Sequence, residues 1–97
     1  MKFEWDEQKR ETNLTKHGLD FYNAEQIFDA PLLVLEDNRE DYGEMRWIGL
    51  GLLENRVVVL VYTEPDVTTV RFISLRKALP QERKRYEQYL SNRLGAG

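Results

Sequence analysis

Polar and apolar positions follow two different periods along this chain, and the change of period divides it into a helical first third and a strand-rich middle. Phe3-Glu4-Trp5 alternates as a short strand would. Asp6 is suited to cap a helix from Glu7 to His17, and Gly18 supplies the residue after its end that tolerates a left-handed backbone. Phe21, Ala24, Ile27 and Phe28 fall on one side of a second helix over Phe21 to Phe28, which must end before Pro31. Leu32 to Leu35 is a short apolar strand or edge segment.

From Arg46 onward the pattern is that of strands. Arg46 to Leu53, Val57 to Thr63 and Val70 to Leu75 are predicted as three strands, joined by tight turns at Glu54-Asn55 and Pro65-Asp66. Val57 to Val61 is apolar on both parities, as expected for a central strand covered on both faces. Gly49 and Gly51 lie two apart on one face of the preceding strand, where another element can approach closely. Pro80 opens a last helix running to about Leu94, with Tyr86, Tyr89, Leu90 and Leu94 as its apolar stripe. The predicted order β-α-α-β-β-β-β-α is an antiparallel meander with segregated helices, an α+β fold.

With 97 residues, 41% hydrophobic and 11% aromatic, the chain fits one domain over residues 1–97, frayed at Gly95-Ala96-Gly97. A cofactor-binding second domain has no room. No apolar run approaches the roughly 20 residues of a membrane span, and the start lacks the apolar stretch of a secretory signal. The expected location is the cytoplasm, with no membrane partner. The absence of cysteine excludes thiolate metal sites and thiol nucleophiles, and one histidine excludes a His-rich metal centre. Neither metal nor cofactor is expected.

The net charge of −3 hides a strong asymmetry. Residues 1–66 hold 7 Lys/Arg against 15 Asp/Glu, a balance of −8, whereas residues 67–97 hold 7 against 2, a balance of +5. So polarised a chain can show a cationic surface to a polyanion while staying acidic overall. The alternative is that Arg83-Lys84-Arg85 are the solvated face of a helix.

Two clusters are able to carry chemistry. Lys9, Asn13, Lys16 and His17 stand at i, i+4, i+7 and i+8, one continuous helix face with cations where an apolar stripe is usual. Either that face is kept for binding, or this is a surface helix tethered through Trp5, Leu14 and Phe21. Arg46, Arg71, Arg76 and Lys77 lie on or beside the strands, where guanidinium forks suit phosphate. They are equally able to pair with acids such as Glu44 or Glu64.

Beyond these clusters the chain resembles a known family. The opening Phe3-Glu4-Trp5-Asp6-Glu7-x-Lys9-x-x-x-Asn13-x-x-Lys16-His17-Gly18-Leu19-x-Phe21 is similar to the start of the BrnT toxins. Glu44-x-Arg46-x-Ile48-Gly49, Tyr62-Thr63-Glu64, Arg71 to Ala78, Glu82 and Tyr86 match later blocks of that family. The start of the last helix departs from it, with Ala78-Leu79-Pro80 in place of a polar cap, and the Pro65 to Thr68 turn is atypical. The resemblance implies a RelE-like antiparallel sheet with two N-terminal helices and one C-terminal helix. It also implies a ribonuclease that stops translation as the toxin of a type II toxin–antitoxin system. A BrnA-like ribbon–helix–helix antitoxin would neutralise it, and the complex would bind operator DNA.

Metal-independent RNA cleavage takes its nucleophile from the substrate's own 2′-OH. It needs a base, an acid, and cations for the charge that develops on phosphorus. His17 is suited to acid or base work near neutral pH. His17, Lys16, Arg46 and Arg76 are the expected catalytic residues, with Lys9, Asn13, Arg71 and Lys77 binding RNA. A lysine or Tyr62 would supply the second proton transfer. Two rival readings are a co-repressor acting through its antitoxin complex and a catalytically silent interaction module.

Overall fold

The computed structural model describes residues 1–95; of the frayed end read at Gly95-Ala96-Gly97, residues 96–97 lie outside the described residues. The elements are β1 (Lys2–Trp5), α1 (Glu7–His17), a 3₁₀ segment (Phe21–Asp29), β2 (Leu33–Glu36), β3 (Trp47–Leu53), β4 (Arg56–Asp66), β5 (Thr69–Lys77) and α2 (Pro80–Arg93). They form an α+β fold around one five-stranded sheet in the order β1-β5-β4-β3-β2. Strands β2 to β5 pair antiparallel, as the meander requires. β1 corrects the all-antiparallel expectation, because it pairs parallel with β5 through Phe3↔Val70 and Trp5↔Phe72. That pairing closes the chain back on itself, with the crossover made by everything between β1 and β5. The sheet is therefore mixed.

The second helix is a 3₁₀ helix rather than an α-helix. Its fully buried residues Phe21, Ala24 and Ile27 are spaced by three, which makes a single ridge at three residues per turn. The Asp20 side chain caps it by accepting from Tyr22 N at 3.0 Å. The ridge lies on β3 and β5. A Cβ at Gly51 would sit 2.6 Å from Ile27 Cγ2, and one at Gly49 would sit 3.0 Å from Leu32 Cδ1. The two glycines therefore mark the close approach that their spacing predicts.

The 3₁₀ segment covers one sheet face, joining Val58, Leu60, Tyr62, Val70, Phe72 and Leu75 in the larger core. Phe3, Trp5, Phe28 and Phe72 stack across it. α2 covers only part of the other face, over Leu50 and Val59, with Tyr86 fully buried and its hydroxyl donating to Pro31 O at 2.7 Å. Leu94 is 87% exposed and does not belong to that stripe. Among the described residues, α2 packs on β3 and β4 of this second face and not on its part toward β5 and β1. Glu54 and Asn55 both have positive φ, 51° and 65°, and make the tight β3–β4 turn. The next turn lies two residues later than expected: β4 runs through Pro65 to Asp66, and the Asp66 carboxylate accepts from Thr68 N at 2.9 Å.

Candidate active site

β5 contains the irregularity that shapes the site. Val61 pairs with Ser74 and Tyr62 with Phe72, so Ile73 is an extra residue, a bulge. On either side of it Val70, Phe72 and Leu75 all reach the larger core, although their parities differ. The bulge turns Ile73 and Ser74 toward the open face together. β1 ends opposite Phe72, leaving the edge of β5 from Ile73 onward without a strand partner.

α1 takes that place. Its N-terminus is capped by Asp6, whose Oδ1 accepts from Gln8 N at 2.8 Å, and Gly18 closes it at φ 71°. Asn13 is 6% exposed and reaches the β5 edge: Nδ2 donates to Leu75 O at 2.8 Å, and Oδ1 accepts from Leu75 N at 2.9 Å. The second Nδ2 hydrogen goes to Leu19 O at 3.1 Å. Asn13 is thus a structural residue, and its expected contact with RNA is corrected, since no donor remains for phosphate. Arg10 is the other tether. It forms a fork on Asp20 at 2.8 and 2.9 Å and lies over the Tyr22 ring. Leu14, expected as the apolar anchor of this helix, is 40% exposed.

With Asn13 turned inward, Lys9, Lys16 and His17 border a groove of ≈ 480 Å³ floored by Ile73 and Ser74. Burial, then Lys16, then Arg76 hold His17 below its ordinary value of 6.5. The neutral imidazole is therefore the form present at pH 7, which suits a base.

Arg76 faces the same open side, since its partner Val59 belongs to the α2 cluster. It makes a bidentate pair with Glu82 at 2.8 and 2.9 Å, and Glu82 Oε1 also accepts from Leu79 N at 2.8 Å. One carboxylate thus starts α2 in place of a polar cap and orients Arg76. Arg71 pairs with Glu4, Nε to Oε2 at 2.6 Å. Both arginines pair with acids, though not with Glu44 or Glu64. Arg46 precedes Trp47, whose side chain packs on the opposite core, so by alternation Arg46 faces the open side. β4 separates it from β5, roughly 10 Å away by strand spacing. Its guanidinium lies 3.9 Å over the Tyr42 ring, and Nε is buried without a hydrogen-bond partner among the described residues.

Of the expected residues, Lys9, Lys16 and His17 share the groove, and Arg46, Arg71 and Arg76 share its sheet face. Lys77 is not with them. It borders a separate cleft with Arg56 and Arg83 under α2. Tyr62 is also removed from the proton-transfer candidates: it is 6% exposed, packs edge-on to Phe28, and burial pushes it up to about 12.

A family model described as the ribonuclease toxin BrnT of type II toxin–antitoxin systems matches residues 5–82. The chain belongs to this family. It is also similar to the Brucella abortus ribonuclease toxin BrnT, solved by crystallography, with a TM-score of 0.63 and 29% identity over 81% of this chain and 97% of that one. No curated protein matches it. The matched segment holds α1, strands β2 to β5 and the Arg76–Glu82 pair, while β1 before Trp5 and α2 beyond Glu82 lie outside it.

This BrnT chain also has site residues that its sequence pattern did not single out. Arg39 is held by the buried carboxylate of Asp37, accepting from Nε at 2.8 Å and Nη2 at 2.7 Å. The Arg39 contacts keep Asp37 at about 2. The Arg39 charge opposes the rise that Glu82 gives Arg76, so the two guanidinium groups lie within electrostatic reach of each other. Flanking acids from Glu36 to Glu44 mask this arginine in any charge average. Only the spacing Asp37-x-Arg39 hinted at it.

Among the described residues no helix is long and apolar enough to cross a membrane.

Proposed function

We propose that this BrnT-family toxin is a metal-independent endoribonuclease whose scissile phosphate lies in the groove between α1 and the β5 bulge. The observation that carries the reading is a half-buried His17 kept neutral beside Lys16, on a sheet face that also presents Arg46 and Arg76. His17 takes the proton of the 2′-OH as that oxygen forms its bond to phosphorus. The bond from phosphorus to the 5′-oxygen breaks, and Lys16 protonates the departing oxygen. The products are a 2′,3′-cyclic phosphate and a free 5′-OH. Arg76, oriented by Glu82, and Arg46, braced on Tyr42, stabilise the charge on the non-bridging oxygens. Lys9 and Arg71 bind flanking phosphates, and Lys77, outside the groove, binds the RNA further along.

In the cell this activity inhibits translation from the cytoplasm, as expected of a RelE-like toxin. A BrnA-like ribbon–helix–helix antitoxin neutralises it by covering the cationic face, and the complex binds its operator DNA. The test is cleavage of a defined RNA by purified protein in excess EDTA, with and without co-purified antitoxin. Cleavage that is lost in His17→Ala and blocked by antitoxin supports the reading. Intact RNA at every concentration would favour the co-repressor or the silent module.

A further inference from the structure

We propose that Arg39 binds an RNA phosphate flanking the scissile one, on the side away from Lys9, and that the buried Asp37 carboxylate is the residue that positions it. The proposal deepens the ribonuclease reading and rests on it.

Strand register puts both residues at the open face. Leu33 stands opposite Leu50, and Leu35 opposite Ile48, across the β2–β3 ladder. Leu33, Ile48 and Leu50 all pack in the α2 cluster. At the next such position Asp37 N donates to Arg46 O at 2.8 Å. By strand alternation Asp37 and Arg46 therefore share the face of Ile48, two steps from the Leu33–Leu50 pair. Arg39, bound to Asp37, is held at that face with them.

Sheet order sets the spacing. α1 lies along the edge of β5 through Asn13, Arg76 is on β5 itself, and Asp37 follows the end of β2, three strands away, roughly 14 Å by strand spacing. Arg39 covers part of that distance, since its guanidinium and that of Arg76 act on each other. The cations thus run His17, Arg76, Arg39 across the sheet, and Arg39 stands beyond the reacting phosphate.

The Asp37 side chain is fully buried, whereas that of Arg39 is 62% exposed. Oδ1 accepts from Arg39 N at 3.2 Å and from Nε at 2.8 Å, and Oδ2 accepts from Nη2 at 2.7 Å. The turn needs only one acceptor, which an asparagine also supplies. The second oxygen serves the guanidinium alone, and the burial of a carboxylate is costly. A fork through Nε and Nη2 leaves the Nη1 edge of Arg39 for a ligand. Arg46, opposite Asp37, is braced on Tyr42 of the same loop. The loop therefore offers two arginines held from behind.

The test is anisotropy titration of a fluorescent single-stranded 2′-O-methyl RNA, which lacks the attacking hydroxyl, over a series of salt concentrations. The decisive variant combines Asp37→Asn with Arg39→Gln, so that both charges go together and neither is left buried alone. Net charge is unchanged, and a pair that only shapes the loop predicts parental affinity and salt dependence. The expected result is binding about 10-fold weaker, with the slope of log affinity against log salt shallower by about 0.7. Asp37→Asn alone should also weaken binding, although it removes a negative charge, because Arg39 is then no longer held. Arg39→Lys should keep the parental slope and recover only part of the affinity. With cleavable RNA, kcat/KM of the double variant should fall with the affinity, the loss lying in KM. Parental affinity and slope in the double variant, tighter binding by Asp37→Asn, or a single-turnover rate lowered as in Arg76→Ala would each overturn the proposal. Cleavage whose KM ignores the double variant would remove this proposal and leave the ribonuclease reading standing. The expected slope change in a protein that cleaves no RNA would end the ribonuclease reading and leave Arg39 as an RNA contact.

Discussion

Asn13 continues the sheet where the strands stop: its carboxamide meets both the N–H and the C=O of Leu75, as a neighbouring strand would. A side chain from a helix thereby takes over a ladder position that β1 leaves open. This pairing locks α1 to β5 and sets the distance from His17 to the bulge.

Asn13→Ala should consequently be a stability variant before it is an activity variant. It strands Leu75 N–H, Leu75 C=O and Leu19 C=O, each costing about 1–3 kcal/mol if left buried and unpaired. A loss of at least about 2 kcal/mol in urea unfolding is expected, with RNA affinity at low temperature reduced far less. A fully stable variant that no longer binds RNA would return Asn13 to the list of ligand contacts.

His17 gives a pH dependence with a defined sign. Burial, Lys16 and Arg76 place its folded value below the 6.5 of the unfolded chain, so the unfolded chain binds the proton more readily. Its contribution to stability is complete above pH 6.5 and declines as pH falls through the folded value. Asp37, at about 2, acts only at much lower pH. Between pH 7 and pH 5.5 the urea midpoint should therefore fall more in the parental protein than in His17→Gln. The rate of cleavage should rise from about pH 5.5 upward and be level by pH 7, and His17→Ala should lose roughly 10²–10⁴-fold. A parental rate and profile in His17→Ala would make His17 a helix-end residue only.

In the proposed mechanism, Arg46→Ala and Arg76→Ala each remove a forked cation from the reacting phosphate. A lost transition-state contact of about 3–4 kcal/mol corresponds to roughly 10²–10³-fold in kcat. Lysine at either position should restore only part of it, because a point charge does not reproduce two parallel N–H bonds. Single-turnover cleavage measures this directly, and full rescue by lysine would argue for general charge alone.

Gly51→Ala tests the packing beneath the site. The added methyl meets Ile27 Cγ2, a branch methyl of a fully buried residue. Displacing the 3₁₀ segment should cost about 1–3 kcal/mol. Gly49→Ala, facing the end of the Leu32 side chain, should cost less. Thermal unfolding of the pair checks the order.

The sequence by itself determined α1 from Asp6 to Gly18, the α+β class, the close approach at Gly49 and Gly51, and the gathering of Lys9, Lys16 and His17 on one helix face. These depend on local rules: capping, periodicity, and the steric needs of a residue and its near neighbours. Tertiary structure decided the rest. The parallel β1–β5 pair joins residues 67 positions apart, and nothing in either tetrapeptide specifies strand direction. Ile73 becomes a bulge only because Val61 and Tyr62 hold Ser74 and Phe72 on adjacent rungs, which strict alternation along β5 does not contain. Asn13 looked like a ligand residue because spacing shows which face it is on, not what lies across from it. Arg76 and Arg71 acquired Glu82 and Glu4 as partners through geometry alone. Whether a charge is paired depends on where distant backbone places its neighbour, and a one-dimensional pattern does not contain that distance.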